Sequence, residues 1–152
     1  MTIRQARPSD ATVIAEFNKR LALETEDLEL EPNCIEPGVA AVLRDPAKGV
    51  YYVAERNGQV VGQVMITYEW SDWRNGNLWW IQSVYVDEKH RRLGIFSRLF
   101  EHLRTLAAQS ADAVGLRLYM QENNARARQS YERLGMKRTG YEVFELDVQR
   151  ES

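Results

Sequence analysis

Four consecutive basic or potentially basic residues, Lys89-His90-Arg91-Arg92, come immediately before the predicted start of a long helix. The free N–H groups and the dipole of a helix N-terminus favour anions and disfavour cations, so cations at this place are explained if an anion binds there. Gly94 lacks a Cβ, so a pyrophosphate can approach the backbone N–H groups of the first turn while the arginines add charge-assisted bonds. A solvated basic loop that balances the acidic segment 24–31 explains the same residues equally well.

A second group of residues has the chemistry to hold a cation. All four tryptophans fall within eleven residues, and the carboxylates Glu69 and Asp72 lie among them. Carboxylates beside indoles suit a cationic amine through ion pairing and cation–π attraction. Packing within a sheet and contact between two copies of the chain explain the tryptophans equally well, because aromatic residues are enriched in both settings. The cluster consists of Trp70, Trp73, Trp79 and Trp80.

Other catalytic and metal-binding patterns are absent from the sequence. There is no GxxxxGK[ST] motif, no GxGxxG after a strand and no GxSxG, which argues against the common nucleotide-binding and serine-hydrolase sites. His90 and His102 lie twelve positions apart outside any HExxH motif, and the single cysteine, Cys34, can complete neither a zinc site nor an internal disulfide. We therefore expect no metal.

The composition is that of a folded globular protein. The 152 residues carry a net charge of −2, with 44% hydrophobic and 28% charged residues, and this length predicts a single domain over 1–152. The charge balance argues against nucleic acid or an anionic membrane as a partner, and no apolar run approaches the length of a membrane span. With no signal-type segment, the expected location is cytoplasmic.

Periodicity and turn signals predict the elements that position these residues. Helical spacing predicts helices from about 8 to 25 and from Gly94 onwards, and the Asn57-Gly58 pair predicts a hairpin turn between two strands. Pro37-Gly38 predicts the start of a short helix that ends at Asp45. Further strands are predicted at 2–6, 78–86, 115–121 and 142–147, with a helix that begins at Asn124 and ends at Gly135. This order predicts one mixed α/β sheet flanked by helices.

Strand alternation predicts which side chains share a face of the sheet. Because successive side chains point to opposite faces, Gln82 is expected on the same face as Val84 and Val86. The same rule gives the strand 60–70 a mixed polar and apolar face that includes Gln63 and Glu69, and such a face can line a site.

Two motifs resemble those of the GNAT superfamily of acyl-CoA-dependent N-acetyltransferases. Arg91 and Gly94, within Val86 to Phe96, match its [QR]xxGx[GA] pyrophosphate loop, although Phe96 stands where the family usually has Gly or Ala. The segment Asn124 to Met136 matches its NxxAxxxYxxxG[FM] pattern throughout. Together with the element order, the resemblance covers essentially the whole chain, and it implies a mostly antiparallel α/β (α+β) fold with a splay between two central strands.

The resemblance also implies a set of acetyl-CoA contacts. The pantetheine would pair like a strand with the backbone near the end of a central strand, the pyrophosphate would bind the loop and first turn of the following helix, and Asn124 would contact the pantetheine end. The cofactor-binding residues implied are Val84, Tyr85 and Val86, then Arg91, Arg92, Leu93, Gly94, Ile95, Phe96 and Ser97, and finally Asn124.

Catalytic residues follow from the same resemblance together with acid–base chemistry. Tyr131 matches the family tyrosine near the thioester sulfur, and a phenol of pKa about 10 can protonate a departing thiolate of pKa about 8.5. A core tyrosine on a helix face is the alternative. Because a primary amine is mostly protonated at neutral pH, a base acting through water is expected. Gln82 stands where relatives often carry glutamate but cannot accept a proton, so Glu69 and Asp72 are the first candidates, with Glu26 and Glu122 behind them.

The function predicted from the sequence is acetyl transfer from acetyl-CoA to a small amine or amino-acid-like acceptor, in a ternary complex without an acyl-enzyme. The expected acceptor-side residues are Glu26, Trp70, Trp73 and Gln82. Two alternatives stay open: a non-catalytic acyl-CoA-binding or sensor domain, and an acetyltransferase that acts on protein N-termini or lysines. A homodimer is an expectation from the resemblance alone.

Overall fold

A computed structural model of the protein describes residues 1–148. These residues divide into two compact units, 1–119 and 120 onwards, and the single domain expected from the chain length stays a prediction. The first unit contains a five-stranded sheet, and the second contains one helix. The elements are β1 (Thr2–Gln5), α1 (Ala11–Glu26), α2 (Pro32–Arg44), β2 (Val50–Arg56), β3 (Gln59–Ser71), β4 (Gly76–Val86), α3 (Ile95–Gln109), β5 (Ala113–Arg117) and α4 (Ala125–Arg133), with 3₁₀ turns at Pro8–Asp10 and Glu88–His90.

The strands lie side by side in sequence order. The first three pairings are antiparallel and the β4–β5 pairing is parallel, so the sheet is mixed and mostly antiparallel, as predicted. Asn57 and Gly58 turn the β2–β3 hairpin with φ of 53° and 76°, a conformation that asparagine and glycine adopt readily. The predicted Asn-Gly hairpin is confirmed.

Helices cover both faces of the sheet in the first unit. Tyr51 and Val53 of β2 pack with Ile14 of α1 and Val39 of α2, all of them buried. Tyr52 points to the opposite face, where its ring meets His102 of α3 at 5.4 Å. Along α3, the stripe formed by Ile95, Leu99 and Leu103 is buried, which agrees with the predicted helical periodicity.

Strand β4 loses its β5 neighbour halfway along. The parallel pairing begins at Asn77↔Ala113 and ends at Trp80↔Arg117, whereas the pairing with β3 continues to Val86. Among residues 1–148, no strand therefore lies beside residues 81–86 on the β5 edge. This is the predicted splay, although β5 is the edge strand and not a central strand of the sheet that residues 1–148 form. It opens early because β5 ends at Arg117, not at Gln121 as predicted.

A β-bulge in β4 changes which residues share a face. Gln63 pairs with Tyr85 and Met65 pairs with Gln82, so Val64 lies opposite two residues, Ser83 and Val84. The extra residue reverses the alternation beyond it. Gln82 therefore shares a face with Tyr85, and the prediction that it shares one with Val84 and Val86 is wrong.

Two other element predictions need correction. Helix α2 begins at Pro32, a favoured first position, and runs through Pro37, because the apolar contacts of Ile35, Val39 and Val42 outweigh one lost backbone hydrogen bond. Residues 142–147, predicted as the last strand, have no regular secondary structure. Their alternating apolar side chains have the pattern of a strand, but none of the described strands pairs with them.

Gly62 of β3 allows α3 to lie close to the sheet at the end nearest the basic loop. A Cβ at Gly62 would lie 3.0 Å from Ile95 Cγ2 and 3.4 Å from the Tyr85 carbonyl oxygen. We expect Gly62→Ala to lower the free energy of unfolding by about 1–3 kcal/mol, because the first turn of α3 must shift. Gly38→Ala is the matched control: a Cβ there meets nothing within 4 Å, and alanine in a helix should stabilise by about 0.5–1 kcal/mol. Urea unfolding of both variants measures the difference, and equal effects would contradict this packing.

Candidate active site

The candidate site begins where the unpaired part of β4 leads into α3. After Val86, a 3₁₀ turn is followed by a short loop in which Arg92 and Gly94 adopt left-handed φ values of 66° and 75°. Gly94 is the N-cap of α3, and a Cβ built on it would project into open space. Because the first N–H groups of a helix have no intrahelical acceptor, this end of α3 offers donors to an anion.

Some residues of the loop and the first turn of α3 are packed against the protein, and the others are exposed to solvent. Ile95 is buried and fixes the start of α3, while Phe96 is half-buried with its ring 6.3 Å from that of Phe100. The remaining loop and first-turn residues, Arg91, Arg92, Leu93, Gly94 and Ser97, are exposed. The predicted pyrophosphate segment thus presents its backbone and its arginines to solvent.

Arg91 is held by three contacts. Its Nε donates to the Val86 carbonyl oxygen at 3.0 Å, and its Nη2 donates to Glu24 Oε1 at 2.7 Å. Its guanidinium also lies 5.3 Å from the centre of the Tyr85 ring, a cation–π distance. The arginine is therefore oriented by the end of β4 and the end of α1 before any anion arrives.

Glu24 links these groups, since its other oxygen accepts a hydrogen bond from the Tyr85 hydroxyl at 2.5 Å. Burial alone would raise the pKa of Glu24, but the hydrogen bonds from Tyr85 and Arg91 outweigh it and lower that pKa. Burial and then the bond to Glu24 raise the pKa of Tyr85 to about 12. The hydrogen bond with Glu24 also raises the pKa of Arg91. The three side chains thus share one charge-assisted network.

Two side-chain hydrogen bonds join β3 to β4 on the face of the sheet that carries Gln82. Trp80 Nε1 donates to Glu69 Oε1 at 2.8 Å, and Gln82 Nε2 donates to Thr67 Oγ1 at 2.5 Å. The Tyr119 ring lies 5.5 Å from Trp80. The face therefore presents a carboxylate, an indole and an amide in a row, and two of these, Glu69 and Gln82, were predicted as site residues.

The other predicted acceptor residues lie apart from this row. Trp73 is 91% exposed and lies with Asp72 in the turn between β3 and β4. Trp70 is exposed near the end of β3, on the opposite face from Glu69, and Glu26 is exposed at the last residue of α1. The structure thus brings Glu69 and Gln82 onto one face, but it does not bring the other four residues to it.

The second unit holds the two remaining predicted residues. Asn124 caps α4, because its Oδ1 accepts a hydrogen bond from the Ala127 backbone N–H at 3.1 Å. Gly135, with a φ of 94°, follows the end of the helix, as predicted. Tyr131 lies on α4, half-buried, and burial raises the pKa of its hydroxyl, so the phenol is protonated at neutral pH.

Comparison with protein families identifies this arrangement. The model of the acetyltransferase (GNAT) family matches residues 13–136. The chain belongs to the GNAT acetyltransferase family. A possible acetyltransferase from Clostridium difficile 630 shares 46% sequence identity with this chain and superposes with a TM-score of 0.93. The match covers 98% of each of the two chains. The GNAT fold expected from the sequence motifs is therefore confirmed, and with it membership of an acyltransferase family.

More distant solved structures share the GNAT fold. A ribosomal-protein-alanine N-acetyltransferase from Brucella melitensis biovar Abortus 2308 is 18% identical, with a TM-score of 0.77 and coverage of 97% and 99%. A predicted acetyltransferase from Clostridium acetobutylicum, solved with acetyl-CoA, is 19% identical, with a TM-score of 0.76 and coverage of 96% and 95%. A search of curated proteins finds no match.

Among residues 1–148, none of the helices is long and apolar enough to cross a membrane. The same range contains no group of three or more histidine, cysteine or acidic side chains that could hold a metal ion.

Sequence reasoning did not single out Glu24. The acidic segment 24–31 was expected to balance the charge of the basic loop as a whole, and in the structure Glu24 makes this contact directly, with Arg91. It lies two positions after Ala22, the last buried residue of α1, and no local pattern distinguishes it from Glu26. The contact is set by how α1 crosses the end of β4, so only the tertiary structure could reveal it.

The raised pKa of Tyr85 predicts a pH-dependent contribution to stability. In the unfolded chain the phenol ionises near a pKa of about 10, whereas in the folded chain it ionises near about 12. The stabilisation by Tyr85 is therefore complete below the unfolded pKa and is lost as the pH rises through this window. The difference in unfolding free energy between the wild type and Tyr85→Phe should be constant at neutral pH and should shrink above the unfolded pKa.

Denaturant unfolding over this pH range measures that difference. Glu24→Gln, introduced into both proteins, is the control, because a neutral amide no longer opposes the phenolate and the pH dependence should weaken. Parallel stability curves for the wild type and Tyr85→Phe would contradict the Glu24–Tyr85 assignment.

Proposed function

We propose that this GNAT protein transfers the acetyl group of acetyl-CoA to the primary amine of a small molecule. The observation that carries the proposal is the unpaired edge of β4 at residues 81–86, which leads directly into the Arg91 loop and the N-terminus of α3. A ligand with an amide-containing arm and a pyrophosphate matches this sequence of sites, since the arm can pair like a strand and the pyrophosphate can meet helix N–H groups.

The residues present fit acetyl-CoA. The backbone of Val84 to Val86 lies in the part of β4 that has no β5 neighbour among residues 1–148, and Gly94 leaves the space before α3 open. Arg91 and Arg92 supply positive charge at the same end. One arginine is already compensated by Glu24, so a bound pyrophosphate would share Arg91 with that carboxylate.

The reaction requires a carbonyl contact, an acid and a route for a proton. Acetyl-CoA supplies the thioester: the amine nitrogen forms the new C–N bond, the C–S bond breaks, and the thiolate takes a proton. A backbone N–H of the Val84 to Val86 segment stabilises the carbonyl oxygen as negative charge develops. Tyr131 donates the proton to the sulfur, since a tyrosine phenol is protonated at neutral pH; burial, which raises its pKa, makes it a weaker acid than an exposed tyrosine.

The register of β3 limits what Glu69 can do. Val64 lies opposite the bulge at Ser83, and Glu69 lies about 17 Å further along the strand at about 3.4 Å per residue. A carboxylate at that distance cannot take the proton from the attacking nitrogen directly. We assign Glu69, with Trp80, to a second cationic group at the remote end of an elongated acceptor, and the proton of the attacking amine leaves through water.

Two other functions make different predictions. A sensor domain would bind acetyl-CoA without turnover, since Gln82 stands where relatives often carry glutamate, a possible general base. A protein acetyltransferase would use the exposed residues of the β3–β4 turn, Asp72 and Trp73, to contact a peptide. Ion pairing and cation–π attraction at Glu69 and Trp80 favour the small amine.

The proposed function predicts amine-dependent release of thiol from acetyl-CoA. With a panel of amines, the wild type should release thiol at a rate that saturates with amine concentration. Tyr131→Phe should lower kcat about 100-fold with little change in the KM for acetyl-CoA, because a proton donor acts in the transition state. Calorimetric binding of acetyl-CoA without amine-dependent release would support the sensor function instead.

The acceptor assignment predicts which variants change amine saturation. Glu69→Gln should raise the KM for elongated diamines about tenfold, through loss of about 1.4 kcal/mol of charge attraction, and should leave short monoamines unaffected. Asp72→Ala and Trp73→Ala are the matched controls, because the turn lies at least about 24 Å along β3 from Val64. If the turn variants alone raise KM, and only for peptides, the acceptor is a protein.

A further inference from the structure

The bulge in β4 holds a residue in an unfavourable backbone conformation. Ser83 has a φ of 52°, a left-handed value that glycine adopts freely and that a residue with a Cβ adopts only when its surroundings enforce it. The bulge also removes Ser83 from the regular ladder between Gln63↔Tyr85 and Met65↔Gln82. Its backbone groups therefore need partners from outside that ladder.

Those partners come from the side chain of Gln63, which is 0% exposed. Gln63 Nε2 donates to the Ser83 carbonyl oxygen at 3.0 Å and to Asn18 Oδ1 at 3.3 Å. Asn18 Nδ2 in turn donates to the Tyr51 hydroxyl at 3.1 Å, and that hydroxyl is hydrogen-bonded to the side chain of Ser83. Side chains from α1, β2 and β3 thus form a closed, buried network around the bulge.

The network lowers stability at one atom, so good packing does not explain why a glutamine stands at this position. Gln63 Oε1 is buried and has no hydrogen-bond partner among the described residues. A buried amide with an unsatisfied oxygen is less stable than an apolar side chain of similar shape, so stability alone would favour replacing it. The useful group is the amide N–H, and its acceptor is the carbonyl of the bulged residue.

The position of the bulge gives this hydrogen bond a consequence for catalysis. Val84, the residue after Ser83, lies in the segment 81–86 that has no β5 neighbour among residues 1–148, and it begins the part that faces the thioester in the proposed function. A bulge sets the direction of the peptide groups that follow it. Small errors in the direction of an oxyanion donor reduce the rate of the chemical step more than they reduce binding of the ground state.

We propose that Gln63 is a positioning residue: its side-chain amide, held by Asn18 and Tyr51, fixes the bulge at Ser83 and thereby aims the Val84 backbone at the thioester carbonyl. The proposal rests on the proposed acetyl transfer and adds to it a buried side chain of β3 that touches neither substrate.

Gln63→Met tests this role, because methionine fills a similar volume and cannot donate a hydrogen bond. We expect kcat to fall about tenfold or more while the KM for acetyl-CoA changes by less than about threefold. Leu103→Ala is the control for a general loss of stability, since Leu103 is buried on α3, which covers the opposite face of the sheet from Gln63. This variant should keep the wild-type kcat at a temperature where it is folded.

Ser83→Gly provides a rescue that a merely structural role would not give. Glycine adopts the left-handed conformation without help, so in this background Gln63→Met should cost less than about threefold in kcat. A kcat of Gln63→Met within about twofold of the wild type would overturn the proposal. So would equal losses in Leu103→Ala, or an undiminished loss in the Ser83→Gly background.

A second measurement keeps the positioning role separate from the proposed function. Gln63→Met should shift the amide ¹H–¹⁵N signals of Ser83, Val84 and Tyr85, and Leu103→Ala should leave these signals in place. If the wild type shows no amine-dependent thiol release, the proposed function fails, and these shifts alone decide whether Gln63 holds the bulge. Unchanged signals would overturn it.

Discussion

Strand β4 has neighbours on both edges as far as Trp80, and from there to Val86 it pairs with β3 alone among the described residues. Backbone N–H and C=O groups along an open edge must find partners in water or in a ligand, and an open edge inside a protein is a template for an extended chain. The rest of the site is built around this segment. The bulge sets the direction of the peptide groups in this segment, and the Arg91 loop follows the segment in sequence. The N-terminus of α3 lies at the end of that loop.

Electrostatics at this end of the sheet are set before a ligand binds. Arg91 lies close to the N-terminus of α3, where the helix dipole disfavours a cation, and Glu24 offsets that repulsion with a 2.7 Å ion pair. An incoming pyrophosphate meets an oriented, partly compensated arginine rather than a free one. Orientation reduces the entropic cost of binding, while compensation reduces the charge that the anion feels. The near-neutral net charge of −2 is thus an average over a basic loop and acidic residues, one of which contacts that loop.

Local signals were sufficient to predict the elements that carry their own backbone chemistry. Asn57-Gly58, Gly94, Asn124 and Gly135 each have a conformational preference that marks a turn, a cap or a helix end, and the structure confirms each of them. Ser83 carries no such mark, because its left-handed conformation is enforced by Gln63 and Tyr51, which lie 20 and 32 positions earlier in the chain. The alternation rule fails at this residue, and with it the predicted face of Gln82. The predicted start of helix α2 was wrong for a similar reason, since contacts in the core decide where this helix begins.

The tryptophan cluster shows how strand geometry divides residues that are adjacent in sequence. Trp79 is 8% exposed and packs edge-on against Tyr68 at 5.8 Å on the α3 side of the sheet. Trp80 points to the other face, where it bonds Glu69, and Trp73 stands on the turn. Because indole N–H groups usually find an acceptor when they are partly buried, the Trp80–Glu69 bond fixes both side chains. A cationic group that approaches Glu69 on this face therefore meets a carboxylate whose direction is already set and an aromatic ring beside it, which favours an amine with a second positive charge over a neutral one.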